Sequence, residues 1–179
     1  MNVKRTAGAL LLFLASTICA FGQEARLTDA QIVGIILVAN QAEIAAGQTA
    51  LRRTQSRSVQ IFASRMVDEH GLVNQETAGL MQRLAATPQR SGISDALTQQ
   101  SYDDLVRLNA VEAHEFDQAY LDREVISLQQ LVKSVNTFIR STTNAELKAL
   151  LVRSRPSFIF HLDQAHRLQL ALEHPRFRR

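Results

Sequence analysis

The sequence predicts an all-α protein, a four-helix bundle made of two helical hairpins joined by a longer crossover. Three observations carry that prediction. Apolar residues recur at three- and four-residue spacing along most of the chain. Glycine and proline are scarce, 7 and 3 among 179 residues. Two short polar turns each separate a pair of long periodic segments, which is the pattern of antiparallel neighbours.

The chain opens MNVKR, continues AGALLLFLASTICAFG without a charge and turns polar at QEARLTD, the basic, apolar and small-residue order of a secretory signal peptide. Ala20 and Gly22 place a cut between Gly22 and Gln23, so residues 1–22 are read as the leader and 23–179 as one bundle domain with a short basic tail. The apolar run is shorter than the roughly 20 residues that span a bilayer. Export to the periplasm or outer envelope is expected. Cys19, the only cysteine, leaves with the leader, so no disulfide can form and an ordinary apolar core must hold the fold. Removing Lys4 and Arg5 leaves 18 basic against 17 acidic residues, a balance that gives no electrostatic footprint for nucleic acid. Local basic character is confined to His174-Pro175-Arg176-Phe177-Arg178-Arg179, read as a solvated terminus or as a weak contact with an anionic membrane surface through Arg176, Arg178 and Arg179. No motif identifies a protein partner.

The first helix is expected to start at the capping box Thr28-Asp29-Ala30-Gln31 and to run to about Arg53. After the polar link Thr54–Ser58, the residues Val59, Ala63, Met66, His70, Val73, Thr77, Leu80 and Leu84 trace the inner seam of a second helix that ends before Pro88. Gln89–Gln100 reads as the long crossover. A third helix is expected from about Ser101 to Arg140, with a break near Asn109, followed by the turn Ser141–Asn144. Thr143-x-x-Glu146 suggests a capping box for the fourth helix, whose Leu147, Leu151, Phe158, Leu162, Ala165 and Leu172 face inward and which Pro156 should kink.

Polar residues interrupt these apolar seams. His70 follows Ala63 and Met66 where another apolar residue is due, Glu43 lies in the stripe of Ile36, Ala39 and Ala46, and His161 lies between Phe158 and Leu162. A helical wheel set on Leu121, Val125 and Leu128 turns Glu124 inward, with His114 and Asp117 near the same face. With the first turn centred near Arg57, Glu43 and His70 stand level, as do Glu124 and His161 across the second turn. Two readings follow. The residues form two buried hydrogen-bonded pairs, Glu43 with His70 and Glu124 with His161, that fix helix register. Alternatively, Glu43, His70, Glu124 and His161, with Asp117 nearby, hold a divalent transition metal such as Fe, Mn, Cu or Zn. The paired Glu-x-x-His motifs of a di-iron bundle are absent. Tyr120 reads as a satisfied core tyrosine that can donate to Asp117, with a redox-active phenol as the alternative, and neither a nucleophile elbow nor a glycine-rich phosphate loop is present.

The phrases FASRMVDEH, EFDQAYLDREV and RPSFIFHL, in that order, resemble the bacterial exported family catalogued as domain of unknown function 4142. The resemblance implies a ferritin-like four-helix bundle and brings no established activity. Its pattern falls on Glu43, Glu69-His70, Phe116, Asp117, Tyr120 and His161-Leu162, while a further family histidine falls on Leu128 here. With no complete catalytic set, the sequence favours a non-enzymatic envelope module with a structural, stress-related or partner-binding role. A metal-binding bundle that stores or senses an ion, or performs oxidative chemistry, is the alternative.

Overall fold

The computed structural model describes residues 26–173; the leader 1–22 with its cut after Gly22, Cys19 and the tail arginines Arg176, Arg178 and Arg179 lie outside the described residues. Among the described residues the chain forms five helices and no strand: α1 Asp29–Arg53, α2 Arg57–Arg83, α3 Gly92–Ala110, α4 Phe116–Ser141 and α5 Ala145–Glu173. The hairpins α1–α2 and α4–α5 pack with α1 beside α4 and α2 beside α5, and α3 lies along α1. The core comes from the predicted stripes, with Ile32, Ile36, Met66, Leu80, Leu121, Leu128, Leu147 and Phe158 all buried. On α4 the stripe turns slightly beyond Leu128, so Leu131 and Phe138 are buried while Val132 and Ile139 are only partly so.

The expected capping box at Thr28 forms, with reciprocal hydrogen bonds to Gln31 of 3.2 and 3.0 Å. The second box does not form at Thr143. The side-chain oxygen of Asn144 accepts instead from the Leu147 N–H at 2.9 Å, because the Thr143 hydroxyl is engaged by Asp29 at the start of α1. The same carboxylate accepts from the Thr142 hydroxyl at 2.5 Å and the Asn144 N–H at 3.0 Å, fastening the α4–α5 turn to the first helix. The helix α5 continues through Pro156. The carbonyl that proline leaves without a partner belongs to the exposed Val152, where water can satisfy it.

The crossover differs most from expectation. Ser91 and Ser94 form a reciprocal capping box, so helix begins at Gly92 within the segment read as an extended link. The break expected near Asn109 falls at residues 111–115, which separate α3 from α4. His114 falls in this connection and is exposed, not inward. The Arg53 guanidinium, 4.6 Å above the Phe116 ring, donates to the carbonyls of Leu108 and Val111 (2.6 Å for Val111), taking up acceptors at the end of α3. At the other end the Gln89 N–H donates to Ala30 O at 3.0 Å. That crossing requires Gly34, since a Cβ there would lie 2.2 Å from the Gln89 carbonyl oxygen.

Among the described residues one helix, α1, is long and apolar enough to cross a membrane by length and composition, with mean hydropathy 1.4 over its most apolar window. Of that window, 56% is buried inside the bundle, the use a core helix makes of apolar surface.

Candidate functional site

All four inward residues named from the sequence are buried: Glu43 on α1 is 1% exposed, and His70 on α2, Glu124 on α4 and His161 on α5 are fully enclosed. They associate like with like. The two carboxyls meet between α1 and α4, and the two imidazoles lie between α2 and α5 with ring centroids 5.3 Å apart. Neither expected pair, Glu43 with His70 or Glu124 with His161, forms a hydrogen bond.

The group that joins the carboxyls is Arg123, which the sequence reading missed. Its Nη1 donates to Glu43 Oε2 at 2.5 Å and to Glu124 Oε1 at 2.7 Å. The Ser127 hydroxyl donates to the other oxygen of Glu43. Arg123 and Ser127 stand four residues apart and so share a face of α4. That spacing was the one signal available in the sequence.

His70 instead meets Asn40. The turn between α1 and α2 is centred on Gln55, not Arg57, which puts Asn40 and His70 at equal distances along the two helices. Nδ1 of His70 lies 2.9 Å from Asn40 Oδ1, and the Asn40 amide nitrogen donates to Asn74 Oδ1 at 3.0 Å. This chain of bonds assigns the His70 proton to Nδ1 and leaves Nε2 a bare acceptor. His161 Nε2 lies 2.9 Å from Glu69 Oε2, which also accepts from the Ser157 hydroxyl. Glu69 thus takes the place expected of Glu124. It can reach His161 because it sits at the edge of α2, 37% exposed, and extends inward.

The electrostatics follow from enclosure. Burial pushes the Glu43 carboxyl up, but the charge of Arg123 and the bonds from Glu124 and Ser127 outweigh it and hold Glu43 below the ordinary range. Burial, aided by the neighbouring Glu43 charge, raises Glu124 well above that range. That direction favours a protonated Glu124, which would give the centre one anion, one guanidinium and one neutral acid. Burial lowers His70 to about 4, opposed by Glu43 and helped by His161 and Arg123. It also lowers His161, against the pull of Glu69. Both imidazoles are therefore neutral near pH 7.

Several buried atoms have no hydrogen-bond partner among the described residues, including His70 Nε2, His161 Nδ1, the Tyr120 hydroxyl and Arg123 Nε. Tyr120 packs between Phe62 and Phe116, at centroid distances of 6.1 and 6.3 Å, and does not bond Asp117. Asp117 is half-buried near the start of α4 and makes no bond to the four-residue centre; its buried Oδ1 is also without a partner.

A divalent cation at the two carboxyls would face a guanidinium in contact with both of them. Among the described residues no group of three or more His, Cys, Asp or Glu side chains is arranged to hold a metal ion. The arrangement pairs its carboxyls with a guanidinium. What it can do is neutralise buried charge internally and lock the register of the helices.

Fold and centre together define an all-α bundle with an ion-paired polar core. The family model described as Domain of unknown function (DUF4142) matches residues 18–168, and the chain belongs to that family. Neither a curated protein nor a solved structure matches the chain.

Proposed function

We propose that the protein is an exported, non-enzymatic bundle of the bacterial periplasm or outer envelope, acting as a structural or partner-binding module in which Arg123 serves as the resident cation. The observation that carries this reading is the guanidinium held between Glu43 and Glu124 at 2.5 and 2.7 Å. A centre with its own fixed positive charge needs no metal to compensate its carboxylates. The leader-like composition of residues 1–22 supports export of the domain that follows.

The test is elemental analysis of mature protein taken from the periplasmic fraction without a metal-binding tag, beside a His70→Ala variant. The expected result is no stoichiometric Fe, Mn, Cu or Zn in either sample, a mature chain beginning at Gln23, and a variant that is merely less stable. Near-stoichiometric metal that disappears in the variant would overturn the proposal in favour of an ion-storing, sensing or oxidative bundle.

A further inference from the structure

The helix α3 is packed differently from the other four. Of its 19 residues only Ser94 and Leu108 are buried, one near each end. It lies along α1 and makes little contact with α4. Leu97, Ser101, Asp104 and Leu108 follow the spacing that turns one helical face inward, yet the two in the middle are polar, so the centre of α3 gains little from burying apolar surface. A gap of about 40 Å³ lies between α1, α3 and α4, lined by Ile35, Leu97, Ser101, Leu131 and Phe138 among others. Close-packed interiors leave few spaces of that size, and the side chains facing it forfeit contacts across it.

The polar side chains of α3 bond within its own length: Thr98 donates to Ser94 O, Gln99 to Asp103 and Arg107 to Asp104. Toward the bundle, Asp104 Oδ2 stands 3.7 Å from Arg123 Nε, beyond hydrogen-bond distance. What holds α3 is concentrated at its ends. The Leu108 side chain is inserted at one end, where Arg53 also donates to the Leu108 and Val111 carbonyls. At the other end, the link before Gly92 crosses α1 at Gly34. A helix held at two ends and loosely packed between them has a low opening free energy, whereas the other four helices share one core.

We propose that α3 is a strap that opens and closes as one cooperative unit over the cleft between α1 and α4 while the four-helix core stays folded. Opening releases Leu108 and uncovers Ile35, Leu131 and Phe138, with residues 84–91 and 111–115 as the hinges. Closed, the protein hides this seam, since all three side chains are buried; open, it presents an apolar surface. The strap goes beyond the proposed structural role and fails separately from it: a metal found at the carboxyls would overturn that reading without changing how α3 opens.

The test is native-state hydrogen exchange of the intact protein, resolved by amide over a range of low urea concentrations, in the wild type, Leu108→Ala and Leu151→Ala. Amides in the middle turns of α3 are expected to exchange with one common urea dependence, at least about 100-fold faster than the slowest amides of α1 and α4. Leu108→Ala removes the buried anchor and should speed α3 exchange by roughly thirtyfold or more, up to the unprotected rate. Leu151→Ala weakens the core on α5, away from α3, and destabilises the closed and open forms equally. It should therefore speed the slowest amides of α2 and α5 and leave the α3 rates unchanged. Three results would each overturn the proposal: α3 rates equal to the slowest of the core, α3 rates that rise with the core in Leu151→Ala, or α3 rates unmoved by Leu108→Ala.

Discussion

At Arg123 a single side chain sets the charge balance of the core, because its guanidinium bonds Glu43 and Glu124 together. Replacing it by leucine leaves buried carboxyls without their cation, and Arg123→Leu is expected to cost about 3–5 kcal/mol of unfolding free energy, measured in urea. The carboxyls should then respond differently. A glutamine at position 124 can still donate to Glu43 and accept from Arg123, as the protonated acid does, so Glu124→Gln should change stability by about 1 kcal/mol or less. Glu43→Gln removes the anion that Arg123 needs and should cost distinctly more. Equal losses in the two glutamine variants would contradict a protonated Glu124. The inward positions of Glu43, His70, Glu124 and His161 were legible because helical periodicity fixes which way a Cβ points. Arg123 was not. It is adjacent to Glu124 in sequence, so a wheel turns it about 100 degrees away, and only its long stem brings the charged head back to the carboxyls.

At the scale of elements, the crossover depends on a close approach at Gly34, where a methyl group would meet the Gln89 carbonyl oxygen. Gly34→Ala is expected to destabilise by about 1–3 kcal/mol despite alanine's better helix propensity, since the link from α2 to α3 must lift from α1. An increase in the urea midpoint would contradict that packing. The start of the first hairpin and its inner seam were legible through the capping box and the apolar spacing, whereas α3 was not recognised as a helix in its own right. Its N-cap signal uses Ser94 where glutamate or glutamine usually marks a capping box, and its weak apolar stripe reads as polar link. The misplaced turn centre had a larger effect: a shift of two residues exchanged Asn40 for Glu43 as the partner of His70. Register across a hairpin is only as good as the turn from which it is counted.

For the whole molecule, the buried groups make stability depend on pH in two opposing ways. His70 is lowered from 6.5 to about 4 in the fold, so its contribution is present above pH 6.5 and is lost as pH falls toward 4, where the unfolded chain takes a proton that the folded chain refuses. The shift corresponds to about 3 kcal/mol at its full extent. Glu124 is raised above its ordinary 4.5, so its contribution is present below that value and is lost as pH rises. His70→Asn should therefore flatten the fall in urea midpoint between pH 6.5 and 4, while Glu124→Gln should flatten any decline toward high pH. A wild-type acid limb unchanged by His70→Asn would show that imidazole to be solvated. The bundle class was legible from periodicity, but whether its polar centre is closed by a metal or by an arginine depends on side-chain reach between helices, which no single helix reveals.

The most direct measurement is titration of Mn²⁺ and Zn²⁺ into wild-type protein and Arg123→Ser, with heat of binding and thermal unfolding recorded together. The expected result is no stoichiometric binding by the wild type, and in Arg123→Ser the uptake of one ion with a rise in melting temperature, because binding to the folded state alone stabilises it. Stoichiometric binding by the wild type, lost in Glu43→Gln while Arg123 is still in place, would contradict the assignment of Arg123 as the resident cation.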